Sequence, residues 1–106
     1  MSDATYVTGL IGRLEPFEDK PRAEHVLEVP DAHVVAFEFT AGQELHEHQA
    51  HHPVLIQVLA GHVRLVHDAG EVGLRPGDLL HLPAMLKHSV TALEDSTLTV
   101  TMLLTP

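Results

Sequence analysis

The sequence predicts an all-β domain. Three observations carry this: short apolar runs alternate with polar residues at period two, turn residues separate them at roughly 8–12-residue spacing, and no window sustains a 3.6-residue period over a helical length. The 106 residues make one ordinary domain, and a chain of this size buries roughly two-thirds of its unfolded surface in a single core.

Residues 1–30 carry mixed charge, three prolines (Pro16, Pro21, Pro30) and scattered apolar residues such as Val7, Leu10 and Ile11. They read as an extended arm with at most short strands, free to wrap the domain or a partner subunit. The barrel or sandwich domain is expected over residues 31–106. In "HVVAFEF", Val35, Phe37 and Phe39 share one face and Glu38 takes the other, the signature of a half-buried strand. Ala41-Gly42 marks a turn. "VLIQVLAG" puts Val54, Ile56 and Val58 on one side and Leu55, Gln57 and Leu59 on the other, with Gln57 read as outward, and "HVRLV" follows as its hairpin partner. "HDAGEVGLRPGD" is rich in turn chemistry, and "LLHLP" is a short strand closed by Pro83. "HSVTAL" and "TLTVTMLL", joined at Glu94-Asp95-Ser96, supply two more strands, the last with Leu98, Val100 and Met102 facing one way.

Composition narrows the function. Fifteen acidic against six basic residues give a formal charge of −9, which opposes binding to a phosphate backbone, so nucleic acid is not an expected partner. No cysteine is present, excluding disulfides, thiolate metal sites and a cysteine nucleophile. No stretch reaches the roughly 18 apolar residues of a membrane span, and the first dozen residues lack the pattern of a secretory leader, so a soluble cytoplasmic protein without membrane attachment is expected.

Four of the ten histidines fall within seven residues, "HEHQAHH". Imidazole is a common ligand of transition metals. In an extended segment His46, His48 and His52 share a face and His51 opposes them, while a kink at Pro53 would exchange His51 for His52. A further histidine, His88, follows the proline-ended turn of "LRPGDLLHLPAMLKHSV". His81, among leucines, reads as a structural or supporting histidine; His25, His33, His62 and His67 read as surface or strand-edge residues. Glu44 and Glu47 flank the cluster as possible acids or bases, or as solvated turn residues. Nucleophile-elbow and phosphate-loop patterns are absent.

From Thr40 to about Ala92 the sequence resembles the cupin superfamily, small jelly-roll barrels that commonly hold one metal. Gly70, Pro76, Gly77-Asp78, Pro83 and His88 follow the second motif of that family. Gly42, His48 and Gly61 keep the frame of the first, but Ala50 and Val54 stand where a histidine and a glutamate are usual. The resemblance implies a single cupin-type β-barrel. It also implies His48 and His88 as ligands, with His46 and His52 as substitutes for the two lost positions, around one divalent transition metal such as Zn, Ni, Fe or Mn. The implied function is a metal-dependent dioxygenase, isomerase or lyase acting on a small organic molecule that enters at the Met85 end. The alternatives are a non-catalytic small-molecule or metal sensor and a structural barrel. A homodimer built through the arm and an outer sheet face is expected by the same analogy.

Overall fold

The structure is a computed structural model that describes residues 3–104. Among the described residues nine strands follow in order: β1 Arg22–Val29, β2 Ala32–Phe39, β3 Glu44–His48, β4 Val54–Ala60, β5 Val63–His67, β6 Gly70–Leu74, β7 Leu79–Leu82, β8 His88–Ala92 and β9 Ser96–Leu103. They form two antiparallel sheets, one with the order β1-β2-β9-β4-β7 and the other β3-β8-β5-β6. Among the described residues no helix is long and apolar enough to cross a membrane.

The expected alternation decides which side chains meet between the sheets. Phe39 on β2, Val54, Ile56 and Val58 on β4 and Leu98 on β9 are buried facing Val63, Leu65 and Val90 of the opposite sheet. Gln57, as expected, is exposed on the outer face. Burying each such aliphatic or aromatic side chain is worth about 1.5–3 kcal/mol, so this double layer holds the barrel together without a disulfide.

Two strands go beyond the sequence reading. Arg22–Val29, within the segment read as an arm, is an eight-residue strand paired with β2 from Ala32 to Glu38. It is an edge strand carrying Arg22, Glu24 and Glu28, so its solvent side hides the alternation that marks a half-buried strand. Gly70–Leu74, read as turn chemistry, pairs with β5 and sets Val72 opposite Leu65 and Leu74 opposite Val63. Its two glycines mask two inward side chains.

The segment before β1 is tied to the barrel. Gly12 N–H donates to Thr97 Oγ1 at 3.2 Å, and the Thr97 hydroxyl donates to the Glu38 carboxylate, 2.9 Å to Oε1. Gln43 Nε2 donates to Phe17 O at 2.7 Å while its Oε1 accepts from Thr40 N–H at 2.8 Å. The chain passes from β4 to β5 at Gly61, which has φ +90° and sits so close to the β8–β9 turn that an added Cβ would overlap Asp95 O and Ser96 Oγ and lie 2.8 Å from Ser96 Cα. Glycine alone combines that backbone angle with that approach.

Candidate functional site

Between the sheets lies a cavity of about 170 Å³, walled by apolar side chains including Phe37, Phe39, Ile56, Val90, Val100 and Met102. Two polar residues join that wall, His48 and His88. Their placement follows from strand register. His48 ends β3, His88 begins β8, and the two are direct partners in the ladder, so both side chains leave the same face of the sheet. The rings lie 4.2 Å apart between centres, inclined at 59°.

Each ring is held by its own strand. His48 Nδ1 lies 3.0 Å from His46 O, and His88 Nδ1 lies 2.9 Å from Leu86 O. Both bonds run to a carbonyl two residues upstream, which fixes the rings and leaves Nε2 of each as the ring nitrogen not engaged by its own strand. The environments differ. His88 is only 5% exposed, and burial lowers its pKa, the bond to Leu86 O opposing and the positive charge of a protonated His48 reinforcing that shift. His48 is exposed, at the mouth.

The other histidines of the cluster do not reach this wall. The β3–β8 ladder pairs Leu45 with Val90 and then His48 with His88, so three steps on β3 match two on β8. That bulge moves the inward face from Leu45 directly to His48. His46, which strict alternation would place beside His48, instead turns out: its side chain is 89% exposed and its Nδ1 lies 3.5 Å from Glu44 Oε1. The strand stops at His48, and His51 and His52 occupy a bend before Pro53, where alternation no longer applies. His52 is half-buried but is not among the residues lining the cavity.

Ala50 and Val54 do line it. His81 is exposed on β7 opposite Leu55, on the outer face of its sheet. Met85 is 46% exposed and does not line the cavity. Its backbone has φ +68°, unusual for a residue with a side chain, and its N–H donates to Ala50 O at 2.7 Å, so it braces the loop beside the wall. One histidine acquires a position the sequence reading did not give it: His67 of β5 pairs with His88 from the other side, extending the rung to three histidines. Its Nδ1 accepts from Ala69 N–H at 3.2 Å, turning that ring toward its own hairpin. The alternation of Val63, Leu65 and His67 was the available signal.

A cupin domain matches residues 33–104, more than half of the chain. The chain belongs to the cupin family. Its nine strands are the family's jelly roll, two antiparallel sheets rolled into a double-stranded β-helix. This cupin is similar to a RmlC-like cupin from Desulfovibrio desulfuricans, with TM-score 0.84 at 27% identity over 94% of this chain and 97% of that one. It is also similar to a cupin superfamily protein from Desulfitobacterium hafniense, with TM-score 0.82 at 18% identity over 97% and 94%. KdgF from Halomonas sp. gives 0.77 at 24% identity over 87% of each chain. A comparison with curated proteins found no match.

Cupins often bind a metal, so the donors on this wall can be tested against one. A catalytic metal is ordinarily held by three protein donors with a further position open. This cavity offers two, the imidazoles of His48 and His88, and the two positions that the family usually fills with donors carry the methyl of Ala50 and the isopropyl of Val54 on the same wall. Among the described residues no group of three or more His, Asp or Glu is arranged around one point. The donor set as folded does not fit a metal held by the protein alone.

Proposed function

We propose that this cupin binds one small, largely apolar organic molecule between its sheets, with His48 and His88 as the polar anchors. The observation that carries this is the wall itself: apolar side chains around two imidazoles fixed by their own backbone. A site of this kind, mostly hydrophobic with a few placed polar groups, is what small-molecule recognition requires. Apolar cavities of about 150 Å³ accept a benzene ring, so about 170 Å³ suits a single substituted ring or a branched chain. The test is an NMR titration of the isotope-labelled protein with a panel of single-ring and branched aliphatic fragments. Shifts should cluster at Ile56, Val90, Val100 and Met102 and disappear in Val100→Trp, which fills the space. Binding that survives Val100→Trp unchanged would put the ligand elsewhere and end this reading.

A second reading keeps a metal-dependent dioxygenase, isomerase or lyase, because the bond from Nδ1 to a carbonyl is the one that commonly orients ligating imidazoles. On that reading His48 and His88 supply two nitrogens, and His46 and His52 join only after the β3–β4 connection repacks. Elemental analysis of wild type and of the His48→Ala/His88→Ala variant decides it: about one metal per chain, lost in the variant, is required. A homodimer through the arm and an outer sheet face belongs to the proposal as well, and light scattering across a concentration series reads it directly.

A further inference from the structure

The tautomers of the two rings restrict what the cavity accepts, given the binding reading above. A backbone carbonyl only accepts a hydrogen bond, so Nδ1 of His48 and Nδ1 of His88 each carry the hydrogen that reaches His46 O and Leu86 O. In the neutral ring Nε2 is then a bare lone pair. The other side chains on the wall are aliphatic, aromatic or thioether groups, none of which donates a hydrogen bond or carries a positive charge. Among the described residues the wall therefore offers two imidazole acceptors and no side-chain donor to match them.

That pattern selects by chemistry. A ligand group with only lone pairs, such as an ether or a carboxylate, would leave the buried Nε2 of His88 unpaired in an apolar space and offer the exposed His48 nothing in place of water, and an anion would also lose its hydration without a cation to replace it. A ligand with two neighbouring O–H groups satisfies both rings. The ring centres are 4.2 Å apart, close enough for adjacent hydroxyls, each about 2.7–2.8 Å from its acceptor, to serve one ring each. The opposite wall presents Phe37 and Phe39, their rings 6.3 Å apart and 29° from parallel, a surface suited to the flat face of an aromatic ligand. We propose that the site recognises a small neutral aromatic diol of the catechol type, one hydroxyl donating to Nε2 of His48 and the other to Nε2 of His88, and discriminates against carboxylates of the same size.

The experiment compares five probes of one ring size, catechol, phenol, 1,2-dimethoxybenzene, benzoate and toluene, by NMR titration at about pH 8, where an ordinary imidazole is neutral, under argon and with EDTA present. Catechol should bind at least about tenfold more tightly than 1,2-dimethoxybenzene, as expected for two hydrogen bonds of ordinary strength, with phenol between them and benzoate weakest. His48→Ala and His88→Ala should each shrink the catechol advantage while toluene binding persists, which also shows that the variants fold. The wild type gives a direct check: imidazole nitrogen shifts should report Nδ1–H and an unprotonated Nε2 in both rings. Toluene or 1,2-dimethoxybenzene binding as tightly as catechol, a preference for benzoate, or Nδ1 found unprotonated in either ring overturns the inference and leaves the cavity reading standing. A catechol advantage seen only without EDTA assigns recognition to a metal and overturns it too. If no probe binds, toluene included, the binding reading itself falls.

Discussion

Gly61→Ala and Gly42→Ala form a matched pair that measures how tightly the β4–β5 crossing is built. Both glycines have the same backbone angle, φ +90° and +89°, but an added Cβ at Gly42 meets nothing within 4 Å, whereas at Gly61 it overlaps the β8–β9 turn. Each alanine bears the left-handed penalty, roughly 1–2 kcal/mol. At Gly61 two further costs arise. Asp95 O is backbone and yields only if the turn moves, and Ser96 Oγ is held by His62 N–H at 3.1 Å and donates to Glu94 O at 2.8 Å. Overpacking of this kind costs about 1–3 kcal/mol, and a lost hydrogen bond about 1 kcal/mol. Gly61→Ala should therefore lose roughly 3–6 kcal/mol, against about 1–2 kcal/mol for Gly42→Ala. Thermal unfolding followed by circular dichroism reads the difference, since 1 kcal/mol moves Tm by about 4–8 °C for a domain near this size. Urea titrations at constant m-value check that the folded state is unchanged. Equal Tm losses for the two variants would refute the argument, because the close approach at Gly61 would then carry no cost.

The pKa of Glu38 is raised, chiefly by burial, with the Thr97 hydrogen bond opposing and Asp95 adding to the shift. A carboxyl whose folded pKa lies above its unfolded one stabilises most fully below the unfolded value, and that contribution is lost as pH rises through the folded value. Glu38→Gln should accordingly gain on wild type in urea midpoints as pH rises above the ordinary glutamate value of about 4.3, and parallel curves would contradict it. For His88 the sign is opposite: its lowered pKa gives a contribution present above the ordinary histidine value and lost as pH falls below it. His88→Leu should therefore hold its stability better than wild type on acidification, and a constant difference would show that the imidazole is not desolvated. Thr97→Val removes the acceptor of Gly12 N–H and a donor to Glu38, so it should cost about 1–2 kcal/mol and speed hydrogen exchange at Gly12. Unchanged protection there would mean that the arm is held by other contacts.

Much of the fold was legible because period two is a direct readout of burial. Val35, Phe37 and Phe39, Val54, Ile56 and Val58, and Leu98, Val100 and Met102 all point inward as their spacing required. The edge strand β1 was not legible as a strand, since a strand wet on one side and at its rim need not alternate in hydrophobicity. The site was legible in part. His48 and His88 meet on one wall, but His46 turns away because of a bulge, and a bulge is a property of the β3–β8 pairing that no single strand's sequence contains. His52 fell outside the reach of the argument for a simpler reason: the strand ends four residues before it. The family motif located Ala50 and Val54 on the cavity wall more reliably than alternation located the histidines between them.

The charged rim strand bears on which edge of the larger sheet stays closed to further strands. β1 covers the hydrogen-bonding edge of β2, and behind that edge lie Val35, Phe37 and Phe39. Arg22, Glu24 and Glu28 stand on the outermost strand, where charge discourages a neighbouring chain from adding a strand of its own. The segment leading into the barrel thus acts as a sealing strip. A shortened chain beginning after Val29 would offer β2 as an open seam backed by two phenylalanines, and a β1 strand borrowed from another molecule would be the natural thing to close it.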